Sequence, residues 1–195
     1  MADFKSIVID MQSHGMKVQD ERVHIRVPNA KEITVQALSH FIGNEGKQAV
    51  WIKEYDQIVE WLDDNKGLGL LLHGKCGVGK SIMGRYVIPA VLLCKCRKVV
   101  SCFDINELNN CTDVVLGKKI ISIDDVGTEE ISIKYGEKRL AFAELMDMVE
   151  KQSKLIIITT NLTAEQITAK YGDRIMDRIK ATTKRIAFNG SSFRK

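Results

Sequence analysis
Residues 68–81 read LGLLLHGKCGVGKS: an apolar run, then Gly74, Gly77 and Gly79 spaced by Lys75, Cys76 and Val78, then Lys80 and Ser81. The run predicts a strand, and the residues from Lys80 to about Cys94 predict a helix. Gly74-x4-Gly79-Lys80-Ser81 therefore sits in the strand, loop and helix setting that a G-x-x-x-x-G-K-[ST] loop requires. Chemistry explains the residue types. Glycines let successive backbone N–H groups wrap a phosphate, and the helix N-terminus adds a favourable dipole. Lys80 reaches β- and γ-phosphates, and the Ser81 hydroxyl is a ligand for Mg²⁺. A turn without a ligand needs neither. Gly74, Gly77, Val78, Gly79, Lys80, Ser81 and Ile82 are thus the expected ATP contacts.

Downstream the pattern alternates. Apolar strands are predicted at KVVSCF, KIISID, LIIITT and KRIAFN, with helices around INELNN, EKRLAFAELMDMVEKQ, TAEQITAKYG and DRIMDRIKA. Continuous apolar strands joined by helices indicate an α/β fold, a five-stranded parallel sheet covered on both faces. Sites open at the carboxyl ends of such strands, where IISIDDVG places Asp124 and Asp125. Asp124 is the expected support for Mg²⁺, and Asp125 the group that orients or polarises an attacking water. KVVSCF falls between the Gly-Lys-Ser loop and this pair, an additional-strand layout. LIIITTNL puts Thr160 and Asn161 within reach of a γ-phosphate or the lytic water; capping the next helix is the alternative for Asn161. YGDRIMDRIK sets Arg174 and Arg178 four residues apart, either as surface ion pairs or with one of them reaching a neighbouring subunit's nucleotide.

The 195 residues suffice for one ordinary domain and a short appendage. An apolar fraction of 45% with two prolines and no repeat describes a globular chain, and nothing approaches a membrane span or a signal peptide, so a cytoplasmic protein is expected. The formal charge of +4 permits nucleic-acid contact without requiring it. Five cysteines, odd in number and with no C-x-x-C pair, indicate neither a zinc ribbon nor a disulfide framework, and Cys94 and Cys96, in an apolar helix-like run, read as buried free thiols. Ahead of the sheet, NAKEITVQALSHFI predicts a helix capped by Asn29, and WIKEYDQIVEWLDDNKG another that ends near Gly67. The expected division is an N-terminal helical segment, 1–48, and a nucleotide-binding domain, 49–195.

GLLLHGKCGVGKS, IISIDDVGTEE, LIIITTNLTAEQI, YGDRIMDRI and FNGSSFR, in that order, resemble the AAA+ ATPases, specifically the clade of DnaC-type helicase loaders and IstB-type transposition helpers. The likeness covers residues from about 50 to the end. It implies Walker A and Walker B roles for the loop and the aspartates, a sensor 1 role for Asn161, an arginine finger at Arg178 with Arg174 beside it, and a sensor 2 arginine at Arg194. It also implies a core without the C-terminal helical lid of most AAA+ proteins. Asp125 stands where many relatives have glutamate, which leads to an expectation of slow hydrolysis.

In this family the loops facing a central pore hold single-stranded DNA. TEEISIKYGEKR follows Asp125 closely and offers Lys134 and Tyr135, with Lys138 and Arg139 behind, as cation and stacking groups; Phe103 is a second stacking candidate. A solvated helix start and a core aromatic are the alternative readings. The resemblance implies a replicative helicase, or a transposase, as partner, together with single-stranded DNA and a nucleotide-dependent homo-oligomer. A P-loop kinase and a nucleotide switch without hydrolysis are the rival functions.

Overall fold
The computed structural model describes residues 3–193 apart from 17, 19, 45, 130, 131, 135, 136 and 140. Three helices come first, α1 (Phe4–Ser13), α2 (Ala30–Gly43) and α3 (Lys53–Asp63), followed by strand β1 (Gly69–Gly74). One continuous helical rod follows the glycine loop: α4 (Lys80–Ile82), a π-helical turn (Met83–Val87) and α5 (Ile88–Cys96). Next come β2 (Ser101–Asp104), α6 (Ile105–Leu116), β3 (Ile120–Val126), β4 (Ser132–Lys134), β5 (Glu137–Arg139) and α7 (Ala141–Lys151). The described chain closes with β6 (Leu155–Thr160), α8 (Ala164–Tyr171), α9 (Asp173–Thr182) and β7 (Thr183–Phe188).

The main sheet has five strands in the order β2-β3-β6-β1-β7, all pairings parallel, as the apolar runs predict. Successive strand residues point to opposite faces, and here both faces are covered. Leu70 and Leu72 of β1 and Ile157 of β6 join one buried cluster with Tyr55, Trp61 and Val91. Leu71, Ile156 and Ile158 join another with Phe142, Leu145 and Ile179. This two-sided demand is why the strands read as unbroken apolar runs.

The expected division near residue 48 does not separate two cores. Ile25, Val27, Ala30 and Leu38 are buried in the cluster that holds β1 and α3. Buried Asn65 fastens this segment: its Oδ1 accepts the Ile25 N–H at 2.8 Å, and its Nδ2 donates to Val23 O at 2.9 Å and Leu68 O at 3.0 Å. α1, by contrast, has no buried residue. Asn29 stands at the start of α2 but makes no side-chain cap; its backbone is left-handed, φ 55°, a conformation asparagine tolerates. Residues 137–139, expected to open a helix, form β5 instead, paired antiparallel with β4 in the register Ile133 to Lys138.

The π-helical turn has a cause in the sequence. Ile88 N–H bonds back to Met83 O, so the Gly84 carbonyl loses its helical donor, and Pro89, which has no N–H, cannot serve Arg85 O. Both orphan carbonyls are met from the sheet: Ser122 Oγ donates to Gly84 O at 2.8 Å and Cys102 Sγ to Arg85 O at 3.5 Å. Cys102 and Ser122 are register partners on β2 and β3, so two neighbouring strands hold two successive carbonyls. Burial pushes the Cys102 thiol up, which keeps it a donor. Gly84 is required by close approach, since a Cβ there would lie 2.8 Å from Thr159 Cγ2.

Candidate functional site
β3, β6 and β1 are adjacent, so the three segments that leave their carboxyl ends converge: Asp124 and Asp125, Asn161, and the loop from Gly74 to Ser81. The Lys80 side chain is buried and its Nζ donates to Gly74 O at 2.9 Å, Lys75 O at 2.7 Å and Asn161 Oδ1 at 2.8 Å. The two readings of Asn161 are thereby separated. Thr163, with Gln166 in a capping box, caps α8, while Asn161 turns its amide oxygen to Lys80.

The loop is braced from behind. Gly79 has φ 92° and a Cβ there would lie 2.2 Å from the Tyr55 hydroxyl, so only glycine lets the backbone pass this ring. Burial, and then Glu54, push Tyr55 up to about 12, so it remains a neutral phenol. Phe193 N–H donates to Gly77 O at 2.8 Å, which draws the C-terminal segment onto the loop. Val78 packs its side chain into the core and offers only backbone to a ligand. His73, just before the loop, is pushed down by burial and by the Arg185 and Lys80 charges; its Nε2 accepts from Arg185 Nε at 2.6 Å.

Asp124 is buried, and the Thr159 hydroxyl donates to its Oδ1 at 2.5 Å. Regular pleating would aim Asp125 to the opposite face, but the β3–β6 register shifts between Ile123 and Val126 and Asp125 adopts φ 55°. Its N–H is accepted by Thr159 Oγ1 at 3.0 Å. One threonine thus holds both aspartates, a role that the sequence reading missed. Thr160 does not face a phosphate position as expected: its buried hydroxyl donates to Val126 O and accepts from Leu162 N–H at 3.1 Å. In a parallel sheet Thr159 and Thr160 must point to opposite faces, and the bulged β3 backbone takes the second.

A cavity of about 480 Å³ lies over the loop, lined by Gly77, Gly79, Lys80, Ser81, Ile82, Asp125 and Asn161, with Tyr55, Tyr86 and Phe193 on its sides. Cys76, Ile42, Lys47, Gln48 and Val50 complete the wall, so the N-terminal segment helps form the site through residues 42, 47 and 48. A ring of backbone amides, an ammonium, a hydroxyl and two carboxylates, one in the wall and one buried behind it, is the arrangement for a polyanion with a hard cation. Among the described residues no group of three or more His, Cys, Asp or Glu side chains stands ready to hold a metal. Mg²⁺ binds through one or two protein oxygens plus phosphates, which the hydroxyl and the buried Asp124 carboxylate fit.

Other expected residues are placed elsewhere. Arg174 and Arg178 on α9 both face Asp147 of α7, Arg174 at 2.8 Å and largely exposed. Arg178 is mostly covered, and its Nε lies 2.7 Å from Glu150 Oε2. Neither lines the cavity. Phe103, offered as a stacking group, packs half-buried against the α6 and α7 core, so its ring is engaged there. Lys134 lies on β4, whose backbone alone is described; Tyr135 and Arg194 lie outside the described residues. Glu129 was not anticipated: it accepts Gly127 N–H at 2.9 Å and the Tyr171 hydroxyl, while Lys170 Nζ donates to Gly127 O and Glu129 O. That cluster pins the loop after Asp125 to α8.

Strand β2, the loop after β1 and the acidic end of β3 define a P-loop NTPase core with an additional strand. The chain belongs to the Novel STAND NTPase 3 family, whose sequence model matches residues 50–189. No curated protein sequence matches it. Among solved structures it is similar to DnaI, at 22% identity and TM-score 0.52 over 65% of this chain and 73% of that one. It is also similar to the DnaC helicase loader, at 17% identity and TM-score 0.54 over 84% of this chain and 93% of that one. A DNA replication initiation factor matches at 12% identity and TM-score 0.53 over 71% of this chain and 47% of that one. At these identities the likeness is one of fold. No helix among the described residues is long and apolar enough to cross a membrane.

Proposed function
We propose that the chain binds and slowly hydrolyses ATP, and that the nucleotide controls its assembly on single-stranded DNA, where it loads or remodels a replicative helicase. The observation that carries the nucleotide reading is Lys80 held against Asn161 at a cavity that Asp125 also lines. Backbone N–H groups from Gly77 to Ser81 would surround the phosphates, and Lys80 would exchange a protein acceptor for a phosphate oxygen. Asp125 would take the proton of the attacking water, and Asn161 would orient it. Ser81 and Asp124 are the residues that would hold Mg²⁺, which when bound polarises the phosphate oxygens. In the AAA+ reading Arg178 would act on a neighbour's nucleotide and Arg194 on its own. The helicase and the DNA enter through the family resemblance and the fold shared with DnaC, and Lys134 and Tyr135 remain the proposed DNA contacts.

Equilibrium binding of a fluorescent ATP analogue, together with phosphate release, tests the site. Lys80→Ala is expected to lose binding. Asp125→Asn is expected to bind as wild type and to lose turnover by roughly a hundredfold, the range of a removed general base. Unimpaired hydrolysis by Asp125→Asn would contradict the assignment.

A further inference from the structure
Arg85 stands on the π-helical turn and faces two carboxylates: its Nη1 lies 3.5 Å from Asp124 Oδ2 and 3.7 Å from Asp104 Oδ2. Asp104 and Asp124 are register partners at the ends of β2 and β3. Asp104 divides its labour. Its Oδ1 helps cap α6 by accepting Asn106 N–H at 2.9 Å, and its Oδ2 faces the guanidinium. Asp124 has Thr159 on Oδ1 and Arg85 beside Oδ2, and a carboxylate so buried needs a counter-charge. The placement of Arg85 is rigid, since the Gly84 and Arg85 carbonyls are tied to the same two strands that carry the aspartates.

We infer that Arg85 is a resident counter-ion for Asp124 that competes with Mg²⁺, and that Asp104, by drawing the guanidinium the other way, sets how strongly it competes. This rests on reading the cavity as a Mg²⁺-nucleotide site. Arg85 is a positioning residue, because it acts through Asp124 and does not line the cavity. A metal cation and a guanidinium next to one carboxylate repel each other, so each loosens the other. With no metal bound, Arg85 pairs with the carboxylate and holds it in place.

The test is a Mg²⁺ titration of the full chain with a fluorescent ADP analogue as probe, with parallel binding in EDTA. Arg85→Met is expected to lower the Mg²⁺ concentration at half-saturation by roughly three- to tenfold and to weaken binding in EDTA. Asp104→Asn keeps the oxygen that caps α6 and removes the charge that draws Arg85 away, so its midpoint is expected to rise by a similar factor of roughly three or more. Arg85→Lys is expected to return the midpoint towards wild type. A purely structural Arg85 would weaken binding with and without metal, and Asp104→Asn would not move the midpoint the opposite way. Equal midpoints in all variants, or shifts of the same sign, overturn the inference. Absence of nucleotide binding by wild type at any Mg²⁺ concentration overturns the reading of the site itself.

Discussion

Thr159 is the residue on which the acidic half of the site depends. Its hydroxyl donates to Asp124 and accepts from the Asp125 N–H, so one fully buried side chain fixes the carboxylate behind the cavity and the strained backbone of the one lining it. Thr159→Val keeps the shape and removes both bonds, leaving a buried carboxylate and a backbone N–H each short of a partner. We expect a loss of about 2 kcal/mol in stability, read by urea unfolding, with Thr159→Ser close to wild type. Turnover should fall with Thr159→Val as Asp125 loses its fixed direction. Nothing in the pattern LIIITT distinguishes Thr159 from Thr160. The pleat that separates them is generic, but the β-bulge that decides which one meets the aspartates is a tertiary feature of β3 against β6.

At the scale of elements, the rod from Lys80 to Cys96 joins the loop to the sheet, and its π-helical turn is held by side chains of β2 and β3. Ser122→Ala leaves the Gly84 carbonyl without a donor in a site that excludes water, so a loss of about 1–2 kcal/mol is expected by urea unfolding. A substitution without effect would show that the turn satisfies this carbonyl in another way. Much of this level was legible in advance: the strand runs, the loop and the order of helices follow from periodicity and glycine placement. The π-helical turn was also within reach, since Pro89 nine residues after Lys80 removes a donor in mid-helix. The β4–β5 pair was not, because EKR continues the polar face of a helix and only the pairing of Ile133 with Lys138 overrides it.

Across the whole molecule, three strand ends build the cavity, α8 is pinned to the loop after Asp125 through Glu129, and α9 carries Arg178 against α7. The N-terminal segment, which reads from sequence as an appendage, is divided: α1 buries nothing, whereas Ile25, Val27, Ala30 and Leu38 share the core and Ile42, Lys47 and Gln48 wall the cavity. Sequence could not show this, because Ile25 is held by the Asn65 side chain, forty residues away, and Val27 by the Leu62 carbonyl. Arg178 is engaged with Asp147 and Glu150 of its own chain, so a role at a neighbour's nucleotide requires it to exchange those partners on assembly. The direct test of the account is ATP hydrolysis per subunit across protein concentration, with and without single-stranded DNA, and light scattering on the same samples for wild type and Arg178→Ala. Turnover per wild-type subunit is expected to rise with assembly and with DNA, while Arg178→Ala is expected to bind nucleotide and stay inactive at every concentration. Turnover that is independent of concentration, DNA and Arg178 would contradict it.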